Sequence, residues 1–244
     1  MPRVLIPQES RRDEAITIRD RKALHYLFHV LRVRVGDRLE CFDGAGRSYV
    51  ARIVRRTRSE LTAHVEQCRS EPAPALKVTL AQALIRPDRF EWVIEKATEL
   101  GVSVIIPIAT SRTTIRSAAA VAGSRLLRWR RIAEGACAQC GRATLPLIRE
   151  LRSFPEVVAD LKGQPAVSPT LATDGPPFSA YLQELQGASA VTVFIGPEGD
   201  FSPEEVAFAT QHGVHPVWLG RLTLRSETAA IVALTLLQRA AGVL

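Results

Sequence analysis

The sequence has few cysteines, and their spacing fits no known framework. Its 244 residues contain four, too few and too scattered for a network of disulfides. Cys137 and Cys140 have the spacing of a metal or redox pair, but no second pair completes a zinc site and both lie inside a predicted helix. The five histidines show neither metal-ligand nor catalytic-triad spacing. We therefore predict reduced, structural cysteines and no metal.

The sequence also lacks a long apolar segment. Residues 1–12 are mixed in character and do not resemble a signal peptide. The longest apolar run, residues 229–237, is far shorter than the roughly 20 residues that a membrane-spanning helix needs. These absences predict a cytoplasmic protein that does not cross a membrane.

Positive charge is concentrated in the first 142 residues. They hold 26 lysines and arginines against 15 acidic residues, whereas residues 143–244 hold 6 against 10. Arginine dominates, and its planar guanidinium suits phosphates and stacked bases. The asymmetry indicates that the first part binds a polyanion and the second a different ligand. An arginine-biased proteome is the alternative explanation.

A proline-punctuated linker at residues 70–74 divides the chain. Before it, β-type segments dominate, with a hairpin turn at residues 43–46 and one helix over residues 19–31. The predicted strands there are residues 4–6, 38–42, 48–54 and 61–66. This pattern predicts a small β-barrel.

After the linker, strands alternate with helices, which is the pattern of a parallel α/β sheet. The predicted strands are residues 75–84, 102–108, 166–173, 190–195 and 214–219. The predicted helices are residues 87–100, 124–140 and 226–241. The last helix is apolar on nearly every side, so we expect a second copy of the chain to cover the face that the sheet leaves open.

The loop after the fourth of these strands is the most informative segment. Residues 196–205 read GPEGDFSPEE, in which Ser202 and Glu205 form a capping box. The segment lacks the Gly-Lys-Ser/Thr ending of a P-loop and the Gly-x-Gly-x-x-Gly pattern. Glu198 and Asp200 place negative charge where an anion would bind. The loop therefore favours a neutral or cationic ligand.

A second motif follows the last predicted strand, where residues 219–229 read LGRLTLRSETA. Together the two motifs resemble the cofactor-binding motifs of SPOUT methyltransferases, in particular the bacterial small-subunit rRNA uridine-N3 methyltransferases. Residues 29–53, HVLRVRVGDRLECFDGAGRSYVARI, resemble the PUA-like domain of that family, and residues 96–102, KATELGV, resemble a further signature. The resemblance spans nearly the whole chain, but Asp200 stands where the family more often has glycine.

The resemblance implies an α/β fold with a C-terminal SPOUT methyltransferase domain over residues 75–244. That domain would contain a parallel sheet and a trefoil knot at about residues 190–244, preceded by a PUA-like RNA-binding β-barrel domain over residues 1–71. It also implies the cofactor S-adenosyl-L-methionine, a homodimer, and methylation of N3 of a specific uridine. The partner would be 16S rRNA or the small ribosomal subunit.

Cofactor binding is predicted at three loops that follow strands. Glycine lets the backbone approach a ligand, and the leucines of the second motif are placed to wall an adenine. Turns and core packing are the alternative explanations for these residue types. The predicted contacts are Leu171, Thr173, Gly196, Glu198, Gly199, Leu219, Gly220, Leu222, Leu224, Arg225, Thr228 and Ala229.

Catalytic roles are predicted for Arg142, Arg225 and Glu198. Methylation at N3 requires removal of its proton or stabilisation of the resulting anion, and the sequence does not identify the acceptor. Residues 139–142, QCGR, resemble a Gln-Ser-Gly-Arg motif of the family. Arg225 precedes a helix N-terminus, where a cation is unfavourable. Its alternative role is an ion pair with Glu227 or Glu198.

RNA contacts are predicted at five arginines. Arg131 lies eleven residues before Arg142, which predicts that the two share a helical face. A solvated basic face is the alternative explanation. Two other functions stay open: a methyltransferase of the same fold acting on a ribose 2′-hydroxyl or another base, and a non-catalytic RNA-binding assembly factor. The predicted RNA-binding residues are Arg3, Arg112, Arg116, Arg128 and Arg131.

Overall fold

The computed structural model describes residues 1–113, 123–170, 175–185 and 187–244. These residues form two compact units. The first comprises Met1–Ala73 together with Cys137–Leu145, and the second comprises Pro74–Ala136 together with Pro146–Leu244. Each unit has its own apolar core. Three of the predicted site residues lie outside the described residues: Arg116, Leu171 and Thr173.

The first unit is built on a six-stranded sheet with the order β1-β4-β5-β6-β3-β2. The pair β1 and β4 is parallel, and the other pairs are antiparallel. The predicted strands are confirmed, and two short ones were not predicted. The strands are β1 (Arg3–Leu5), β2 (Arg11–Arg12), β3 (Ala15–Ile18), β4 (Arg38–Phe42), β5 (Arg47–Arg56) and β6 (Leu61–Ser70).

The predicted hairpin turn connects β4 and β5. The Asp43 carboxylate accepts hydrogen bonds from the backbone N–H groups of Ala45 at 2.8 Å and Arg47 at 3.0 Å. Gly44 and Gly46 have φ angles of 73° and 102°, a region in which residues with a side chain are strained. The turn prediction is confirmed.

The helix predicted over residues 19–31 is shorter and less regular than expected. Helix α1 (Arg21–His25) is capped by Asp20, whose carboxylate accepts from the Ala23 N–H at 2.8 Å. The chain then widens into a π-helical turn, Tyr26–Val30. The spacing of Leu24, Leu27, Phe28 and Leu31 predicts one apolar face, and of these residues Leu24 and Leu27 are buried and the other two partly buried. Hydrophobic periodicity therefore located the buried face but could not reveal the change in helix type.

The second unit contains a fully parallel sheet, as predicted. Its strand order is β10-β8-β7-β12-β11-β13, and β9 also pairs with β8. The strands are β7 (Lys77–Ala83), β8 (Val104–Ala109), β9 (Leu147–Ile148), β10 (Arg152–Ser153), β11 (Ala166–Pro169), β12 (Ala190–Ile195) and β13 (Val214–Val217).

Helices connect these strands. In helix α2 (Pro87–Glu99), the helical spacing of Phe90, Val93, Ile94 and Ala97 predicts one apolar face, and all four are buried. Gly101 follows the helix at φ 81°, a common way for a helix to end. No helix of the described residues is long and apolar enough to cross a membrane. The helices are α2 (Pro87–Glu99), α3 (Ser124–Cys140), α4 (Phe154–Ala159), α5 (Phe178–Glu184), α6 (Pro203–Gln211) and α7 (Ser226–Ala240).

Helix α7 is less completely buried than its composition indicates. Ala230, Ala233, Leu234 and Leu237 are fully buried in the core of the second unit. Another side of the helix, which includes Ile231, Val232 and Leu236, is only partly buried, and Thr235 is exposed. The helix therefore has one core-facing stripe and one partly open apolar stripe.

Candidate functional site

A cleft of about 220 Å³ lies where β11, β12 and β13 end. The carboxyl ends of parallel strands are the usual ligand-binding edge of an open α/β sheet. Eight of the twelve predicted cofactor contacts line this cleft. They are Gly196, Glu198, Leu219, Gly220, Leu222, Leu224, Arg225 and Ala229.

Two other predicted contacts, Gly199 and Thr228, belong to the same segments but do not line the cleft. Both are exposed. The cleft also has lining residues that the sequence did not single out as contacts. Thr170 and Trp218 directly follow β11 and β13, so the strand-end rule would have found them if the ends of these strands had been predicted correctly. The full additional set is Pro169, Thr170, Ile195, Pro197, Asp200, Trp218, Arg221, Thr223 and Ser226.

The loop formed by residues 196–202, here the 196–202 loop, has a fixed internal geometry. The Asp200 N–H donates to the Pro197 carbonyl at 3.0 Å, and Asp200 has a φ of 59°. Aspartate is one of the few residues that adopt this left-handed region readily. Its carboxylate accepts from the Phe201 N–H at 2.8 Å. The loop thus accommodates aspartate at the position where the resembled family more often has glycine.

Gly196 is required by close packing within the 196–202 loop. A Cβ atom at this position would lie 2.9 Å from the Asp200 carboxylate oxygen and 3.2 Å from the Asp200 Cα. The second contact is with backbone, which cannot move aside as a flexible side chain would. Any larger residue would therefore displace the floor of the cleft.

A buried polar chain links the 196–202 loop to the core. The Ser226 hydroxyl donates to the Gly196 carbonyl, and the Gln82 side-chain amide donates to the Ser226 hydroxyl at 2.9 Å. Gln82 has no exposed surface, and it also donates to the Ala83 carbonyl at 3.1 Å. Strand β7, strand β12 and helix α7 therefore meet through one set of hydrogen bonds directly beneath the cleft.

The far end of the loop is fixed by the predicted capping box. The Glu205 N–H donates to the Ser202 hydroxyl at 3.2 Å, and the Ser202 N–H donates to the Glu205 carboxylate at 2.9 Å. Pro203 opens helix α6. The local sequence is therefore sufficient to explain where the loop ends and the helix begins.

Charges of both signs border the cleft. Glu198 and Asp200 lie on one loop, and Arg221 and Arg225 lie on the other. Glu227, one of the two alternative partners expected for Arg225, pairs with Arg89 at 3.2 Å. The arrangement suits a zwitterionic ligand that carries both cationic and anionic groups.

These residues fit S-adenosylmethionine, which carries a sulfonium, an ammonium and a carboxylate. The Thr170 hydroxyl oxygen is buried at the cleft without a hydrogen-bond partner among the described residues, so it is available to a polar ligand. Glycines leave room for close approach of a ligand to the backbone, and leucines give the walls an apolar surface.

Arg142 and Arg3 belong to the first unit. Helix α3 ends at Cys140, and Gly141 has a φ of 91°. The expectation that Arg142 shares a helical face with Arg131 is therefore wrong, because Arg142 lies beyond the turn that ends the helix. The Arg3 side chain is only 7% exposed, lies 4.8 Å over the Phe42 ring and donates to the Cys137 carbonyl at 3.3 Å.

Of the other predicted RNA-binding arginines, the three that the structure describes, Arg112, Arg128 and Arg131, belong to the second unit. Arg128 forms a two-point hydrogen bond with Glu91, at 2.5 and 2.7 Å. Arg131 is exposed on helix α3. Arg112 donates to the carbonyl of Gly199. Across the residues that the structure describes, no group of three or more histidine, cysteine or acidic side chains is arranged to hold a metal ion.

Comparisons with known proteins identify the family to which the chain is related. The profile of the RNA methyltransferase domain matches residues 71–238, and that of the RNA methyltransferase PUA domain matches residues 18–66. Proteins named ribosomal RNA small subunit methyltransferase E are similar over most of the chain. The Synechocystis protein is 33% identical, and the aligned region covers 86% of this chain and 69% of the Synechocystis protein. The Mycobacterium bovis protein is 31% identical, and the aligned region covers 84% of this chain and 79% of that protein.

A solved structure is similar over nearly the full length. It is a ribosomal RNA small subunit methyltransferase E from Neisseria gonorrhoeae bound to S-adenosyl methionine, with a TM-score of 0.84 and 26% identity. The structural alignment covers 98% of this chain and 97% of the Neisseria chain. The chain therefore belongs to the RNA methyltransferase family, as its two C-terminal motifs predict. The predicted chain knot and the individual residue roles stay predictions.

Proposed function

We propose that this chain uses S-adenosylmethionine to methylate N3 of a specific uridine in 16S rRNA. The observation that carries the proposal is the cleft itself, where the two sequence motifs converge on one strand edge and one of them contributes a loop with two carboxylates. The Thr170 hydroxyl at this cleft has no hydrogen-bond partner among the described residues. Similarity to the small-subunit rRNA methyltransferases supports the RNA target. Family resemblance supports the choice of N3.

The second unit would bind the cofactor, which supplies an activated methyl group when bound. The carboxylates of Glu198 and Asp200 would favour its cationic groups, and Arg225 or Arg221 would pair with its carboxylate. Leu222 and Leu224 would contribute apolar walls. Such a cleft accelerates transfer mainly by holding the reacting atoms close and aligned.

The substrate side would depend on arginine. We propose that Arg142 contacts the target nucleotide or its phosphate, since a guanidinium stabilises either a phosphate or a uracil that is losing its N3 proton. Arg225 and Glu198 remain candidates for catalysis at the cleft. Of these, Glu198 is the carboxylate with exposed surface for accepting a proton.

Residues 1–71 would act as the PUA-like RNA-binding domain and residues 75–244 as the methyltransferase domain. In the first unit, one region supports RNA binding. The Arg56 guanidinium lies 4.3 Å over the Phe28 ring and donates to the Val33 carbonyl at 2.8 Å. Tyr26 is 44% exposed, and Arg55 and Arg58 are exposed as well. Exposed aromatic rings and arginines are the groups that stack on unpaired bases and contact phosphates.

We also propose a cytoplasmic homodimer. The partly buried apolar stripe of helix α7, formed by Ile231, Val232 and Leu236, supports a partner surface. Leu222, beside it in sequence, is 81% exposed. Light scattering at micromolar concentration tests the dimer, and a monomeric mass would contradict it.

The function is tested with purified protein, labelled S-adenosylmethionine and two substrates, deproteinised 16S rRNA and small ribosomal subunits. The proposal expects 3-methyluridine in the digested product. A 2′-O-methylated nucleoside or another methylated base would favour the second candidate within the same fold. Calorimetry that detects no binding of S-adenosylmethionine would favour an RNA-binding assembly factor.

A further inference from the structure

The turn after strand β8, residues 110–113, is built as a rigid unit. The Thr113 hydroxyl accepts from the Thr110 N–H at 3.1 Å, and the two threonine hydroxyl groups lie 2.8 Å apart. The Thr113 N–H donates to the Thr110 carbonyl at 3.2 Å. Both side chains are buried, so the turn presents the two residues between them, Ser111 and Arg112, in a fixed direction.

Arg112 contacts the 196–202 loop directly, and Ser111 reaches the end of the loop through Glu205 of helix α6. The Arg112 guanidinium donates to the Gly199 carbonyl. The Ser111 N–H and hydroxyl donate to the two carboxylate oxygens of Glu205, at 2.7 and 3.0 Å. Glu205 also accepts from the Ser202 N–H at 2.9 Å. Each of these bonds has a charged partner, which makes it stronger than a neutral hydrogen bond.

We infer that Ser111, Arg112 and Glu205 are positioning residues for cofactor binding. They hold the 196–202 loop in the shape that forms one wall of the cleft. The inference rests on the proposed function of that cleft, and it gives Arg112 a role other than the RNA contact expected from its sequence. Without these bonds the loop would sample other conformations, and binding would have to order it again.

The predicted effect is on affinity more than on folding. Arg112 and Gly199 are both exposed, so water can replace the lost hydrogen bond without leaving a buried group unpaired. Truncation of Arg112 should therefore leave the melting temperature nearly unchanged. The Michaelis constant for S-adenosylmethionine should rise, whereas kcat at saturating cofactor should stay close to wild type.

The test compares Arg112→Ala and Arg112→Lys in the full chain, with Arg152→Ala as the matched control. Arg152 is partly exposed, donates to Asp160 at 2.6 Å and to the Glu156 carbonyl at 3.4 Å, and does not line the cleft. In calorimetry, Arg112→Ala should bind S-adenosylmethionine about tenfold more weakly than the wild-type protein does. The lysine variant, which keeps one charged donor, should recover most of it, and the control should match wild type.

Binding to a 16S rRNA fragment at several salt concentrations separates this role from an RNA contact. We expect Arg112→Ala to bind the fragment with wild-type affinity and salt dependence. Unchanged affinity of Arg112→Ala for the cofactor would overturn the inference. If the variant also bound RNA more weakly, and the slope of log affinity against log salt concentration fell by about one, Arg112 would be a phosphate contact. Failure of the wild-type chain itself to bind the cofactor would contradict the proposed function instead.

Discussion

Ser226 and Gly196 are joined by a buried hydrogen bond, from the serine hydroxyl to the glycine carbonyl. We expect Ser226→Ala to lower the free energy of unfolding by about 1–3 kcal/mol, because the Gly196 carbonyl and the Gln82 amide both lose a partner. Affinity for S-adenosylmethionine should fall as well. Denaturant unfolding and calorimetry measure both effects.

The matched control for this prediction is Thr235→Ala on the same helix. Its exposed hydroxyl donates to the Ile231 carbonyl within the helix at 2.8 Å. The change in stability should stay within about 0.5 kcal/mol. If Ser226→Ala changed stability as little as Thr235→Ala does, the 196–202 loop would not depend on the buried hydrogen bonds of Ser226.

Gly196→Ala should abolish most cofactor binding. The new methyl group would meet the Asp200 backbone at 3.2 Å, so the loop must move. Gly135→Ala is the control, because the site is in helix α3 and nothing lies within 4 Å of the added Cβ. That control should be neutral or more stable by up to about 1 kcal/mol. Wild-type cofactor affinity in Gly196→Ala would show that the ligand does not use this loop.

The carboxylates of the 196–202 loop should favour a positively charged ligand. Glu198→Gln and Asp200→Asn keep the side-chain shapes but remove the charge, and each should weaken binding of S-adenosylmethionine by about twofold to fivefold at low salt. S-adenosylhomocysteine lacks the sulfonium charge and should lose less affinity. Equal losses for the two ligands would show that the charge of the sulfonium is not recognised.

Arg142→Ala should lower methyl transfer far more than it lowers affinity for the cofactor. A contact made mainly in the transition state affects kcat and kcat/KM together. Arg142→Lys keeps the charge but not the planar fork, so it should restore only part of the rate. The measurement is turnover at saturating RNA and cofactor. Wild-type turnover of the alanine variant would remove Arg142 from the site.

The cysteines should divide into two classes. Burial raises the pKa of the Cys137 thiol to about 12, and burial together with Glu40 raises that of Cys41. A raised pKa keeps a thiol protonated and unreactive until the pH approaches it. At pH 8 a colorimetric thiol reagent should therefore modify only the exposed Cys68 and Cys140 in the native protein, and all four after unfolding. Four reactive thiols in the native protein would contradict the buried positions.

Much of the second unit followed from sequence because its signals are local. The apolar strand at residues 190–195 and the capping box of Ser202 and Glu205 were located correctly, since both depend on neighbouring residues. That the 196–202 and 219–229 segments converge on one cleft could be predicted only from the family resemblance, because they are separated in the sequence. Thr170 and Trp218 were missed because β11 and β13 end earlier than predicted, at Pro169 and Val217.

The remaining differences come from contacts between residues distant in sequence. Nothing near Arg3 indicates that its side chain lies over Phe42, and nothing near Arg112 indicates that it contacts Gly199. Both were predicted to contact RNA because arginine-rich segments usually face solvent or phosphate.

The π-helical turn at Tyr26–Val30 was also missed, since an extra residue in a turn leaves the hydrophobic pattern nearly intact.

The central claim is methylation of N3 of a uridine in 16S rRNA, and nucleoside mass spectrometry of rRNA from cells lacking this gene tests it most directly. The account predicts that 3-methyluridine disappears from the 16S rRNA of these cells. It also predicts that the wild-type gene restores the nucleoside and that a Gly196→Ala gene does not. Unchanged 3-methyluridine, with loss of a different methylated nucleoside, would contradict the account.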